Sequence, residues 1–148
     1  MKEATVDLWG FDCDVRCITT NGTLESDGSA VMGAGCALEA VQRCRFLPQS
    51  YGRMISRYGN QVFLIEDMLM FPVKHQVWQK ADISLIHRSL LQLNALIQLY
   101  GWTNVALPRP GCGLGGLLWP ELREEIEHWF GQSVIAETVT FIGYPGKP

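Results

Sequence analysis

The sequence predicts an α/β protein with a mixed or mainly parallel sheet covered by helices on both faces. Three observations lead there. Short apolar, β-branched runs alternate with amphipathic runs through much of the 148-residue chain. No internal repeat, linker or low-complexity segment breaks that alternation. Two glycine-rich stretches, residues 21–35 and 108–116, each follow a predicted strand and precede a predicted helix. In open α/β sheets such loops gather outside the carboxyl ends of the strands, where ligands bind.

The elements follow in order. Residues 4–8 read as a short strand, and residues 14–20 (DVRCITT) as a buried one. After the polar loop NGTLESDGSAVMGAG, residues 36–45 read as a helix ended by the turn at Leu47-Pro48. A second helix is expected over 50–57, then a hairpin of strands at 61–66 and 68–71. Asp82 suits the cap of a long helix to Leu99, with Ile83, Ile86, Leu90, Leu93 and Ile97 at helical spacing. Residues 105–107 are a strand. Pro120 fits the first turn of a helix ending near Phe130, and residues 138–142 form the last strand.

Composition narrows the function classes. Hydrophobic residues make up 47% and charged residues 18%, which suits one globular domain rather than a disordered chain. The net charge of -3 argues against a broad basic face that wraps nucleic acid, while leaving room for a local site. The five cysteines (Cys13, Cys17, Cys36, Cys44, Cys112) include no C-x-x-C pair, so no zinc framework is expected and the thiols read as reduced. The first residues, MKEATVDLWG, lack the apolar core of a signal peptide, and no apolar run approaches membrane-spanning length. A cytoplasmic monomer without metal or cofactor is the expectation.

Glycine loses more backbone freedom on folding than other residues, so LPRPGCGLGGLLW (107–119) needs a reason. Glycines entering a helix expose backbone N–H groups, and the helix dipole behind them favours an anion without any basic side chain. Gly111, Gly113 and Gly116 spell G-x-G-x-x-G, yet too little chain follows for a dinucleotide-binding βαβ path. The alternatives are a plain turn cluster and, taking both loops together, a pair of clamps suited to a diphosphate.

Four segments in order carry a resemblance over nearly the whole chain: VDLWGFDCDVRCITTN, AVMGAGCALEA, MFPVKH and PRPGCGLGGLLW. They resemble the opening strands, first phosphate loop, F-P-T-K-x-H-W segment and second loop of the macro domain. The branch most similar contains the DNA ADP-ribosyl glycohydrolase antitoxins (DarG) and the terminal ADP-ribose glycohydrolases. The resemblance implies a three-layer α/β/α sandwich around a mixed sheet, with ADP-ribose or an ADP-ribosylated substrate in a cleft at the strand ends. It implies that Asp7 bonds the adenine amino group. Met32, Gly33, Ala34 and Gly35 would line the first loop, and Gly111, Cys112, Gly113, Leu114 and Gly115 would wrap the other side of the diphosphate.

The same resemblance makes Lys74 the catalytic residue of an ADP-ribosyl glycohydrolase. Its amine would attack C1 of the distal ribose or polarise the ring or leaving group. Asn21 would bond the distal ribose hydroxyls, or it is a turn residue in Asn-Gly. His75 would act beside Lys74. Trp78 and Trp119 are core or cleft wall. A nucleic-acid carrier would want a basic rim, for which Arg45, Arg53, Arg57, Lys80 and Arg109 are candidates; Arg109 would otherwise pair with an acid such as Glu121.

Two departures from the family pattern stand out. Residues 22–31 are longer than in similar members. Gly115 stands near a position that is acidic in the human enzyme of the branch. The competing readings are therefore a hydrolase acting on modified DNA or protein, a non-catalytic reader of ADP-ribose or a nucleotide signal, and an ADP-ribose 1''-phosphate phosphatase. Antitoxins carry a further domain for which this chain has no room, an architecture that fits a phage or mobile element removing host marks.

Overall fold

The computed structural model describes residues 1–145. One six-stranded sheet runs through it: β1 (Lys2–Thr5), β2 (Val15–Asn21), β3 (Phe63–Ile65), β4 (Met68–Lys74), β5 (Val105–Pro108) and β6 (Val139–Gly143). The order is β1-β6-β5-β2-β4-β3. All neighbours are parallel except the edge strand β3, which pairs antiparallel with β4. The sheet is thus mixed, as expected, and the predicted hairpin is the β3–β4 pair.

Side chains alternate between faces with period two. Cys17, Leu69, Phe71, Val105, Leu107 and Phe141 pack on one face against α3 (Ile83–Tyr100), α4 (Trp119–Phe130) and the short α5 (Val134–Thr138). Ile18, Met68, Met70, Ala106 and Ile142 pack on the other against α1 (Gly35–Arg43) and α2 (Leu47–Tyr58). Both faces are apolar, so each needs a helical layer, and the result is the three-layer sandwich.

Helix ends follow local chemistry. The Asp82 side chain accepts from Ser84 N (2.9 Å) and caps α3, which stops at Gly101 in the left-handed region (φ 69°). Within α3, Ile86, Leu90, Leu93 and Ile97 are buried as the spacing predicts, but Ile83 is 41% exposed and Leu85 takes a buried place instead.

Several boundaries differ from the sequence reading. β1 ends at Thr5, and Leu8–Gly10 form a 3-10 turn capped by Asp7. α1 runs from Gly35 to Arg43 and so ends before Arg45. α2 begins at Leu47 because Pro48 lies within its first turn rather than outside the helix. β4 continues through Pro72 to Lys74; Pro72 lies beyond the last β3 pair (Phe63↔Met70), where a missing N–H is tolerated.

The long segment after β2 is an ordered hairpin. Leu24 and Ala30 form an antiparallel bridge, Glu25 N donates to Ser29 O (2.7 Å) and Val31 N to Thr23 O (3.0 Å). Its far strand is tied to α2 by Ala30 N donating to Pro48 O (2.8 Å). Gly52 makes the contact close: a Cβ there would lie 2.1 Å from the Gly28 carbonyl oxygen. Gly52→Ala is expected to lower stability by about 1–2 kcal/mol in urea unfolding. The figure is modest because a surface hairpin can lift and alanine favours the helix. Unchanged stability would show that the hairpin does not rest on α2.

Candidate functional site

Five parallel strands place their carboxyl ends on one edge of the sheet. Because β5 and β2 are neighbours, the loops that follow them emerge side by side. On the other side of β2, the register with β4 shifts between Thr20 and Asn21, so Asn21 pairs with Lys74. Val73 is the extra residue, and it stays buried (6% exposed) in the core. A bulge of this kind re-aims the residue that follows it. Here that residue is Lys74.

Lys74 is half-buried, and its Nζ donates to Val77 O at 3.3 Å. It lines a cleft of about 420 Å³ together with Val77, Trp78, Lys80, Leu114 and Gly115. Among the described residues the cleft lining includes two lysines and no carboxylate. Trp78 (74% exposed) and Leu114 (79%) stand at its rim. Trp78 is therefore cleft wall. Trp119 is core: it is buried, packs on Phe141 (5.2 Å between centroids) and donates to Glu3 Oε1 at 2.8 Å.

His75 follows Lys74 but does not join it. Its Nε2 is 2.7 Å from Asp82 Oδ2. The hydrogen bond from His75 holds the Asp82 carboxyl below its ordinary range, with a further bond from Ser84 N. His75 thus ties the strand end to the start of α3.

Both ends of the Asn21 amide are in use. Oδ1 accepts from Thr23 N (2.9 Å) and Nδ2 donates to Val31 O (3.1 Å), so Asn21 closes a turn at the root of the hairpin. Thr23 then locks the hairpin to the lysine loop: its Oγ1 donates to Gln76 Oε1 (2.7 Å) and accepts from Val77 N (2.8 Å). The sequence reading missed Thr23 and Gln76. A hydroxyl two residues after an Asn-Gly turn carries no sign of its distant partner.

The glycines divide into two kinds. Gly33, Gly35 and Gly113 have open space where a side chain would stand. Ala34 precedes α1 with no side-chain cap, leaving the first N–H groups of that helix free for an anion. Gly111 and Gly115 are buried, and their hypothetical Cβ atoms would lie 2.6 and 2.8 Å from Ala81 Cβ. They let the second loop fold on itself and on Ala81, while Gly113 and Leu114 stay exposed. Met32 is buried on the α1–α2 side. Cys112 is half-buried, and burial pushes its thiol up to about 11.

Asp7 is exposed at the β1–β6 end of the edge, its Oδ1 accepting from Trp9 N at 3.3 Å. Tyr144, which the sequence reading passed over, follows β6 close by. Burial pushes its hydroxyl up, as do the nearby Cys36 thiol and the carboxylates of Glu39 and Asp7. An aromatic directly after the last strand was the available signal.

Arg109 corrects one expectation. Its guanidinium lies 3.8 Å from Glu3, 5.3 Å from the Trp119 ring centre and against Gly143. Its acidic partner is Glu3, not Glu121, and it does not form part of a basic rim. Glu3 also receives Arg123 Nε at 2.6 Å. Burial alone would raise the Glu3 carboxyl, but the bonds from Arg123 and Trp119 outweigh it and hold it low.

A three-layer α/β/α sandwich with two glycine loops at the carboxyl edge of a mixed sheet is the macro-domain fold. The macrodomain of Mycobacterium tuberculosis DarG is similar at 23% identity, with a TM-score of 0.81 over 98% of this chain and 97% of that one. The macrodomain of Thermus aquaticus DarG is 23% identical, with a TM-score of 0.78 over 97% of both chains. Thermosipho africanus DarTG, solved in complex with ADP-ribose, is 19% identical with a TM-score of 0.77, covering 97% of this chain and 43% of that one. No family model and no curated protein matches the sequence. Among the described residues no helix is long and apolar enough to cross a membrane.

Proposed function

We propose that the protein binds ADP-ribose across the carboxyl edge of its sheet and, with Lys74, cleaves the bond between the distal ribose and a carrier. The observation that carries this is the shared cleft. Lys74 and the second glycine loop line one space, with Lys80 in it and no carboxylate. That charge balance suits a diphosphate beside an electron-poor sugar carbon. The order along the edge follows the order of the ligand's parts: Asp7 and Tyr144 at the β1–β6 end for adenine, the two loops for the diphosphate, Lys74 at the β4 end for the ribose. The solved neighbour holding ADP-ribose supports the ligand class.

The chemistry would be hydrolysis. The bond from C1 of the distal ribose to the carrier breaks, the carrier leaves with a proton, and water supplies the hydroxyl of free ADP-ribose. Modified DNA and modified protein are the carriers to test. A second reading, a non-catalytic reader, is favoured by one observation: among the described residues no carboxylate lines the cleft to help activate water. The phosphatase reading relied on His75, which Asp82 engages.

Calorimetry with ADP-ribose, AMP and ADP-ribose 1''-phosphate tests the binding. ADP-ribose is expected to bind at least ~10-fold more tightly than AMP, which lacks the second phosphate and ribose. Equal or absent binding would show that the glycine loops do not hold a diphosphate.

A further inference from the structure

A second depression, of about 350 Å³, shares no residue with the cleft. The hairpin tip forms one wall, and Gln49, Arg53, Ser56 and Arg57 of α2 form the other. The placement follows from the helix. α2 buries Leu47, Tyr51, Gly52 and Ile55, so Gln49, Arg53 and Arg57, spaced by four, share its outward stripe. Gly52 lets the hairpin close over that stripe.

The charges there are uncompensated. Among the described residues neither Arg53 nor Arg57 lies within 4.0 Å of a carboxylate. Arg53 has only a long contact to Ser50 Oγ (3.5 Å), and Arg57 lies 5.4 Å from the Tyr58 ring centre. Like charges at this spacing destabilise a helix. Residues 40–65 hold four arginines and no acid, in a chain of net charge -3. The one acid at the depression, Asp27, has its Oδ1 engaged by Ser29 N (2.9 Å) and Ser29 Oγ (2.6 Å). Guanidinium forks match phosphate oxygens, and serine and glutamine add neutral donors.

We infer that Arg53 and Arg57, with Gln49 and Ser56, form a phosphate-binding site separate from the cleft. It stands independently of the ADP-ribose reading. A phosphodiester in a strand and a free phosphate share this chemistry. The strand is the better match because Phe46 (53% exposed) and Tyr58 (55%) flank the arginines, and bases stack on such rings.

The test is fluorescence anisotropy of the full chain with a short, labelled, unmodified single strand, repeated across salt concentrations. The double variant Arg53→Gln/Arg57→Gln is expected to lose about 10-fold in affinity, and its salt slope to fall by about 1.4, as for two phosphate contacts on a single strand. Asp27→Asn keeps the turn acceptor, removes the opposing charge and is expected to tighten binding. Calorimetry with ADP-ribose should be unmoved in both variants, which separates this site from the cleft. If inorganic phosphate binds as well as the strand and is lost in the double variant, the site stands with free phosphate as its ligand. If neither probe binds, or strand binding survives the double variant unchanged, the inference is overturned.

Discussion

Lys74→Ala is expected to reduce release of ADP-ribose from a modified carrier by about 100-fold or more while ADP-ribose affinity stays within about threefold. The expectation rests on position. Lys74 is the side chain that the β4 bulge delivers to the strand edge, and among the described residues its Nζ has only the Val77 carbonyl as a protein partner. Lys80 lines the same cleft, so Lys80→Ala is the control for charge alone. Lys74→Arg separates the two possible roles, because arginine keeps the positive charge but does not act as an amine nucleophile. Turnover retained with arginine assigns polarisation. Turnover lost with arginine, together with a borohydride-trapped adduct on the wild-type protein, assigns attack at C1. Turnover undiminished in Lys74→Ala would move catalysis to another residue. Binding without turnover in the wild type, on both modified DNA and modified protein, would favour the reader.

Much of this architecture was legible because the two sheet faces are both apolar. Residues 14–20 and 68–71 read as strands whichever face each residue meets, and the observed strands are Val15–Asn21 and Met68–Lys74. Two cooperating local signals also marked the long helix: a capping aspartate and a helical stripe. Elements with weak local signals were lost. α5 has five residues, too few for a period to show. The sequence puts a turn at Leu47-Pro48 and a strand end at Phe71, and only the three-dimensional setting shows why a helix begins at the one and a strand continues through Pro72.

The site was legible in its residue types more than in its contacts. The resemblance placed Lys74, Asn21 and the glycine loops near one another, and the strand order brings them to one edge. It did not show where side chains point. His75 is adjacent to Lys74 in the chain yet reaches Asp82, and Arg109 finds Glu3 at the opposite end of the sequence. The extended loop after Asn21 carried no sign that it would fold into a hairpin held by Thr23 and Pro48. Long-range hydrogen bonds between common polar residues leave no periodic trace.

The glycines of the second loop show the same limit, and substituting them separates packing from ligand contact. Gly115→Ala is expected to cost about 2–3 kcal/mol of stability. Its Cβ would lie 2.5 Å from Gly111 O and 2.8 Å from both Gly111 Cα and Ala81 Cβ. None of these atoms is the end of a flexible side chain. The loop around them is closed by Ala81 N donating to Gly115 O (3.0 Å) and Leu117 N to Gly111 O (2.9 Å), so it has little freedom to yield. Gly111 is further constrained by its φ of 70°, where an L side chain is strained. Gly113→Ala should behave differently. No atom lies within 4 Å of its Cβ position, so stability should stay within about 0.5 kcal/mol. If Gly113 meets the diphosphate, the added methyl disturbs a charge-assisted contact and ADP-ribose affinity should fall about 10-fold. Urea unfolding and calorimetry on the two variants read these effects separately. Unchanged affinity in Gly113→Ala would take that glycine out of the binding site. Unchanged stability in Gly115→Ala would mean that the loop accommodates a methyl where the packing leaves no space. Loss of stability in one variant and of affinity in the other would give two neighbouring glycines distinct physical reasons, one for the fold and one for the ligand.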